Sequence, residues 1–142
     1  MISRITNAYI QHISEFPKTA LNISLNELKI LENCKYLLVI HSITEESLRL
    51  TIYPINRKNI IKITLFGGNL SNKIFKKVTK ILKKFQVIHT SGFLKIEKHL
   101  FFECYLNLSL SEEKSKHLKA SLDNIKNIFK EIKIEEIGLK NI

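Results

Sequence analysis

From Ile60 onward the apolar positions change period in a regular order, and each period predicts an element. Ile60–Phe66 (IIKITLF) is a short apolar, β-branched run that predicts a strand. Gly67-Gly68 predicts a turn, and Ser71 stands where it can cap a helix running through Phe85. Along that helix Ile74, Val78, Ile81, Leu82 and Phe85 form one apolar stripe. Val87–Ile96 and Leu100–Leu108 predict a hairpin turning at Glu97-Lys98-His99. Ser109 and Glu112 have capping-box spacing ahead of a second helix that reaches about Phe129, with Leu118, Leu122, Ile125 and Phe129 as its stripe. Ile132–Ile137 predicts a closing strand.

The order β-α-β-β-α-β predicts an α+β fold of ferredoxin-like type: a four-stranded antiparallel sheet with both helices on one face. Ahead of it, Ile2, Ile5, Tyr9 and Ile13 recur at spacings of three and four, which predicts an amphipathic helix over residues 2–14. A helical turn around residues 25–32, suggested by Ser24 and Glu27, competes with a strand through Leu21–Ser24. Lys35–Ile43 and Leu48–Ile55 then alternate with period two around a polar TEES gap and predict a β-hairpin, Pro54 marking an edge or a strand end. The polar run Asn56-Arg57-Lys58-Asn59 is the best internal boundary. It separates residues 1–58, an N-terminal helix and hairpin, from the unit formed by residues 59–142.

Charge is distributed unevenly along the 142 residues. The net charge is +10, yet from Ser47 through Ile96 there are eleven Lys and Arg and no Asp or Glu, whereas the flanking segments are balanced. A composition skewed toward Lys, Ile and Asn, as an AT-rich genome produces, enriches lysine everywhere but does not deplete acids in one block. A localised positive surface is expected, and it favours anionic partners, RNA or another polyanion. The first helix concentrates this charge: Lys73, Lys76, Lys77, Lys80, Lys83 and Lys84 fall within an arc of about 120° opposite the apolar stripe, at about 3.6 residues per turn. Cys34 and Cys104 make no CxxC, no apolar run reaches a membrane span, and the N-terminus lacks a secretory apolar core; a reduced, cytoplasmic protein is expected.

Candidate chemistry follows from these elements. A glycine loop at a helix start offers positive φ, close approach and free backbone N–H groups to an anion, so Gly67, Gly68, Asn69, Leu70 and Ser71 are candidate ligand contacts. No Gly-Lys-Ser/Thr follows, so this is not a Walker loop. Alternation along the third strand of the unit puts Phe101, Glu103 and Tyr105 on the sheet face away from the helices, with Lys62 and Phe66. That face either stacks bases or is covered by the rest of the chain or a second subunit. The five histidines do not cluster at metal spacing, no catalytic motif is present, and neither a metal nor a cofactor nor enzymatic activity is expected.

Residues 60–137 resemble the ACT domain, a ferredoxin-like regulatory module of amino-acid metabolism. The resemblance rests on the strand IIKITLF, the loop GGNLS, the helix NKIFKKVTKILKKF, the strand QVIHTSG and a hairpin leading into FFECYLNLS. It implies a non-enzymatic regulatory protein whose small effector, commonly an amino acid, binds at the loop Gly67–Ser71. His89, Thr90 and Ser91 would complete the site across a homodimer interface. Asn69-Leu70-Ser71-Asn72 stands where that family usually has an acid before a Pro-Gly pair. A weaker resemblance is to the RNA-recognition motif: LFGGNLS is similar to its first signature, with Phe66 at the aromatic position, and KHLFFECY is loosely similar to its second. The alternative to effector binding is therefore an RNA or DNA binder using Lys73, Lys76, Lys77, Lys80, Lys83 and Lys84, and a third option is a structural partner in a larger complex.

Overall fold

The computed structural model describes residues 6–14, 32–69 and 71–140. Its strands are β1 (Asn7–His12), β2 (Tyr36–Ile43), β3 (Leu48–Ile55), β4 (Ile60–Phe66), β5 (Val87–Thr90), β6 (Leu94–Ile96), β7 (His99–Leu106) and β8 (Glu131–Ile137). Two helices, α1 (Asn72–Leu82) and α2 (Glu113–Asp123), complete an α+β fold. The chain divides into two compact units, one built on Ile60–Glu136, the other on Arg4–Asn59 with Ile137–Ile142. Among the described residues no helix is long and apolar enough to cross a membrane.

In the second of these units β1, β2 and β3 form an antiparallel sheet in that order. The predicted helix over residues 2–14 is corrected by β1. Residues 7–12 pair with Tyr36–His41 along their whole length, Ile10 is fully buried, and Tyr9 packs with Ile13 and Ile52 against Leu37 and Val39. A short apolar run that satisfies helical spacing also fits a strand, and the ladder offered by β2 decides between them. On the outer edge of β1, Ile10 N donates to Gly138 O at 3.2 Å and Ile10 O accepts from Lys140 N at 2.7 Å. The alternatives weighed for residues 21–31 lie outside the described residues.

The unit from Ile60 contains a sheet of order β5-β7-β4-β8, with β6 also paired to β7. Ile61, Ile63 and Leu65 lie opposite Leu106, Cys104 and Phe102, and this face joins Val78 and Leu82 of α1 and Leu118 and Leu122 of α2 in one core. The other face carries Lys62, Thr64, Glu103 and Tyr105, which are buried as well. β4 is therefore buried on both faces, which suits its nearly continuous apolar run.

Four boundaries differ from the sequence pattern. The strand expected over Val87–Ile96 breaks into β5 and β6, so the unit has one strand more than the six-element order. Gly92 sits at φ +71°, and the Ser91 hydroxyl accepts from Glu103 N at 2.9 Å, which replaces a regular ladder step by a side-chain bond. α1 ends at Leu82 rather than Phe85, because Lys84 and Phe85 donate to Ile81 and Leu82 in tighter turns. The expected capping box at Ser109 does not form: the Ser109 hydroxyl bonds Ser111 Oγ and Glu136, and α2 starts four residues later at Glu113. That helix ends at Asp123, although Ile125 and Phe129 still reach the core. The turn at Glu97-Lys98 has positive φ at both residues, 50° and 73°, as the two-residue turn of a tight hairpin requires.

Gly67 and Gly68 sit at φ +84° and +85°, where side-chain residues are strained. A Cβ on Gly68 would stand 2.5 Å from the Ile128 carbonyl oxygen, and one on Gly67 would meet the Lys130 stem at 2.6 Å. Gly92 has open space around its missing side chain. Gly68→Ala is accordingly expected to cost about 1–3 kcal/mol, from the combined strain and displacement of a backbone carbonyl. Gly92→Ala should cost about 1 kcal/mol, from conformation alone. Urea denaturation of the two variants checks this, and equal losses would contradict the packing role of Gly68.

Candidate functional site

α1 is set by its two ends and one face. Ser71 caps it, its hydroxyl accepting from Ile74 N at 3.2 Å and its carbonyl from Phe75 N at 3.0 Å. Val78 and Leu82 are buried, with Ile74, Ile81 and Phe85 packed around them. That burial fixes which way the opposite side points. Lys73, Lys76, Lys77, Lys80, Lys83 and Lys84 are all exposed, and among the described residues none forms an ion pair. Within α1, Lys73–Lys77 and Lys76–Lys80 are like-charge pairs at i,i+4, each unfavourable to the helix by about 0.2–0.5 kcal/mol.

The basic surface continues beyond the helix. Two adjoining clefts run between α1 and α2. One, of about 500 Å³, is lined by Lys84, Phe85, Lys114, His117, Ala120, Ser121 and Asn124. The other, of about 270 Å³, is lined by Lys77, Lys80, Ile81, Lys84, Ser121, Asn124 and Ile125. They share Lys84, Ser121 and Asn124, and among the described residues no carboxylate lines either. Cations and hydrogen-bonding side chains lining one cleft are a chemistry suited to phosphate oxygens.

The glycine loop has a different environment. Gly67 N donates to Leu100 O and Lys130 N to Phe66 O, both at 2.8 Å, so the loop is tied to β7 and to the segment entering β8. A cleft of about 360 Å³ lies beside it, lined by Gly68, Asn69, Lys98, His99, Asn127, Ile128, Phe129 and Lys130. Leu70 lies outside the described residues. Ser71 is occupied with capping, and His89, Thr90 and Ser91 do not line this cleft. The cleft beside the glycine loop thus holds only the Gly68 and Asn69 part of the sequence-predicted ligand site among the described residues.

His89, Thr90 and Ser91 serve the edge of the sheet instead. Thr90 Oγ1 accepts from Gly92 N at 3.1 Å, and Ser91 Oγ donates to Gly92 O at 2.8 Å while accepting from Glu103 N. The half-buried His89 ring lies 6.0 Å from that of Tyr105. Burial pulls its pKa below the usual histidine range, and the Glu103 carboxylate partly opposes the shift. Glu103 itself pairs with Lys62 at 3.1 Å, both nearly without solvent contact, and Lys62 Nζ stands 5.5 Å from the Tyr105 ring centre.

Of the sheet aromatics, Phe101 and Tyr105 are buried and Phe66 is half-buried. Phe101 and Tyr105 are 4% and 0% exposed, and Phe66 contacts Phe101 and His99 at ring separations of 4.9 and 5.1 Å. An exposed ring lies elsewhere, on α1: Phe75, half exposed, 5.6 Å from Phe93. Phe75 is not among the residues singled out by the sequence pattern, yet at 100° per residue it falls 20° outside the apolar stripe, and an aromatic off the stripe is the signal that marks it. Among the described residues no three His, Cys, Asp or Glu side chains come together as a metal site. No protein-family model matches the chain, and no curated protein matches it.

Acid should weaken this unit partly through His89. Its folded pKa lies below the unfolded value near 6.5, so the unfolded chain takes up the proton more readily as pH falls. The contribution is fully present above about pH 6.5 and is lost as pH drops from there through the folded value. His89→Gln is expected to lose less stability than the wild type between pH 7 and pH 5, read from urea midpoints. Parallel pH profiles for the two proteins would refute it.

Proposed function

We propose that the chain is a non-enzymatic nucleic-acid-binding protein that holds a phosphate backbone on the lysine face of α1 and in the adjoining cleft between the helices. One observation carries this reading: six exposed lysines share one arc of the helix with no ion-pair partner among the described residues. A charge run on a solvated surface is normally interleaved with acids, and here the like-charge pairs oppose the helix that displays them. A polyanion would remove that repulsion. The sheet order β5-β7-β4-β8 with both helices on one core supports assigning the unit to the ferredoxin-like class, β6 being an addition within its hairpin. In this reading the recognition surface is the helix layer, since Phe101 and Tyr105 are buried.

The test is a salt titration with a 15-nucleotide oligonucleotide. Five or six phosphate contacts to a single strand give a slope of log K against log salt near −4, at about 0.7 per contact. The triple variant K76E/K80E/K83E, which leaves the apolar stripe untouched and so should keep its circular dichroism spectrum, is expected to bind at least ~100-fold more weakly at low salt. Undiminished binding by the folded triple variant would defeat the proposal.

A second reading, binding of a small anionic effector beside the glycine loop as in the ACT domain, is favoured by one feature. The cleft at Gly68 and Asn69 carries Lys98, His99 and Lys130 together with two asparagines. Replacement of Gly68 is a poor probe of it because the fold itself needs that glycine. A thermal-shift screen with amino acids and small anions is expected to give a stabilising compound whose effect disappears in Lys98→Ala; absence of any shift, or a shift indifferent to Lys98, would count against it.

A further inference from the structure

We infer that the strand taken up by α1 is single-stranded and that one of its unpaired bases stacks on Phe75. This inference rests on the nucleic-acid reading and adds the class of strand and the residue that selects it. Phe75 is 50% exposed, on the outer part of α1 rather than in its apolar stripe. Its position is not that of a loose surface residue. The ring lies 5.6 Å from Phe93, and Phe93 in turn lies 4.7 Å from Phe102, inclined by only 30°. Phe102 belongs to the core and is 6% exposed. A ladder of three rings therefore runs from the core to the surface and holds the last one in place, as a stacking platform requires.

The platform borders the charge. At 100° per residue the lysine arc begins at Lys83, 80° around the helix from Phe75, with Lys76 next in sequence and only the polar Asn72 and Thr79 between them. The arc ends at Lys77, which lines the cleft against α2. A strand crossing the helix meets an aromatic ring, then the lysines, then the basic cleft. Duplexes offer phosphates to such a surface but keep the faces of their bases inside the stack. Single strands offer both, and the pairing of a basic track with a π-face is the way sequence-tolerant single-strand binders hold them. A base on Phe75 would also cover an apolar ring that the folded chain leaves half in water.

The probes are a fluorescein-labelled 15-mer of uridine and the same strand in a duplex with its complement, at one salt concentration. Wild-type protein is expected to bind the single strand at least ~10-fold more tightly than the duplex, on the scale of one stacked base. Phe75→Leu keeps an apolar side chain against Phe93 but has no π-face; it should lose about 5- to 100-fold for the single strand, with the salt slope and the duplex affinity unchanged. The chain has no tryptophan, so Phe75→Trp introduces a single reporter whose emission should be quenched on saturation with the 15-mer, with affinity retained. If Phe75→Leu binds like the wild type while K76E/K80E/K83E does not, the stacking inference is overturned and the nucleic-acid reading stands. Preference for the duplex also overturns it, and failure of the wild type to bind either probe removes both.

Discussion

The constraint on which the rest of the Ile60 unit depends is the close approach of two backbones at the end of β4. Phe66 O accepts from Lys130 N, Gly67 N donates to Leu100 O, and the Ile128 carbonyl lies where a Cβ of Gly68 would be. Three strands are tied at this corner, since β4 ends there, β7 passes it and β8 starts beside it. The crossing needs two consecutive residues at positive φ with no side chain, a condition glycine meets without strain. Ser71 follows three residues after Gly68 and caps the start of α1. The glycine pair that resembles a ligand loop is thus occupied by the fold.

Lysines in the same acid-free block meet opposite fates. Lys62 is buried in the sheet against Glu103 at 3.1 Å, a pair whose mutual attraction must offset the loss of water around both charges. Such a pair adds little net stability, but loss of either member would leave a buried charge, so each residue constrains the other. The lysines of α1 and its C-terminal turn are exposed and form no ion pair among the described residues. Cys104 shows the same influence of burial on a neutral group: removal from solvent pushes its thiol up to about 12, and it behaves as a small apolar core residue.

What the sequence made legible were features whose cause is local. Ser71 caps α1, the stripe from Ile74 to Leu82 faces the core, and the β2–β3 hairpin forms over the runs that alternate with period two. Each of these depends on residues within a turn or two of one another. The early end of α1 is local, in the turns from Lys84 to Ile81 and Phe85 to Leu82, but other misses have a distant cause. Residues 7–12 satisfy helical spacing, and only the ladder with β2 makes them a strand. The break between β5 and β6 depends on Ser91 reaching Glu103 of β7, and the start of α2 on Ser109 bonding Glu136 near the end of the unit. For the candidate site, the six lysines could be read directly, whereas the ring ladder behind Phe75 joins three segments that no local pattern connects.

The two faces of α1 differ in the size of the forces acting on them. Fully burying a side chain such as Val78 or Leu82 is worth about 1.5–3 kcal/mol each, and three more apolar residues of the stripe contribute partly. Repulsion in the lysine arc amounts to a few pairs at about 0.2–0.5 kcal/mol. Packing therefore holds the helix with margin to spare, and folding places little restriction on what occupies the opposite side. Folding does not require cations there either, since acids interleaved with them at i,i+4 would favour the same helix. A surface that the fold tolerates, mildly opposes and does not require is not explained by what it does for α1.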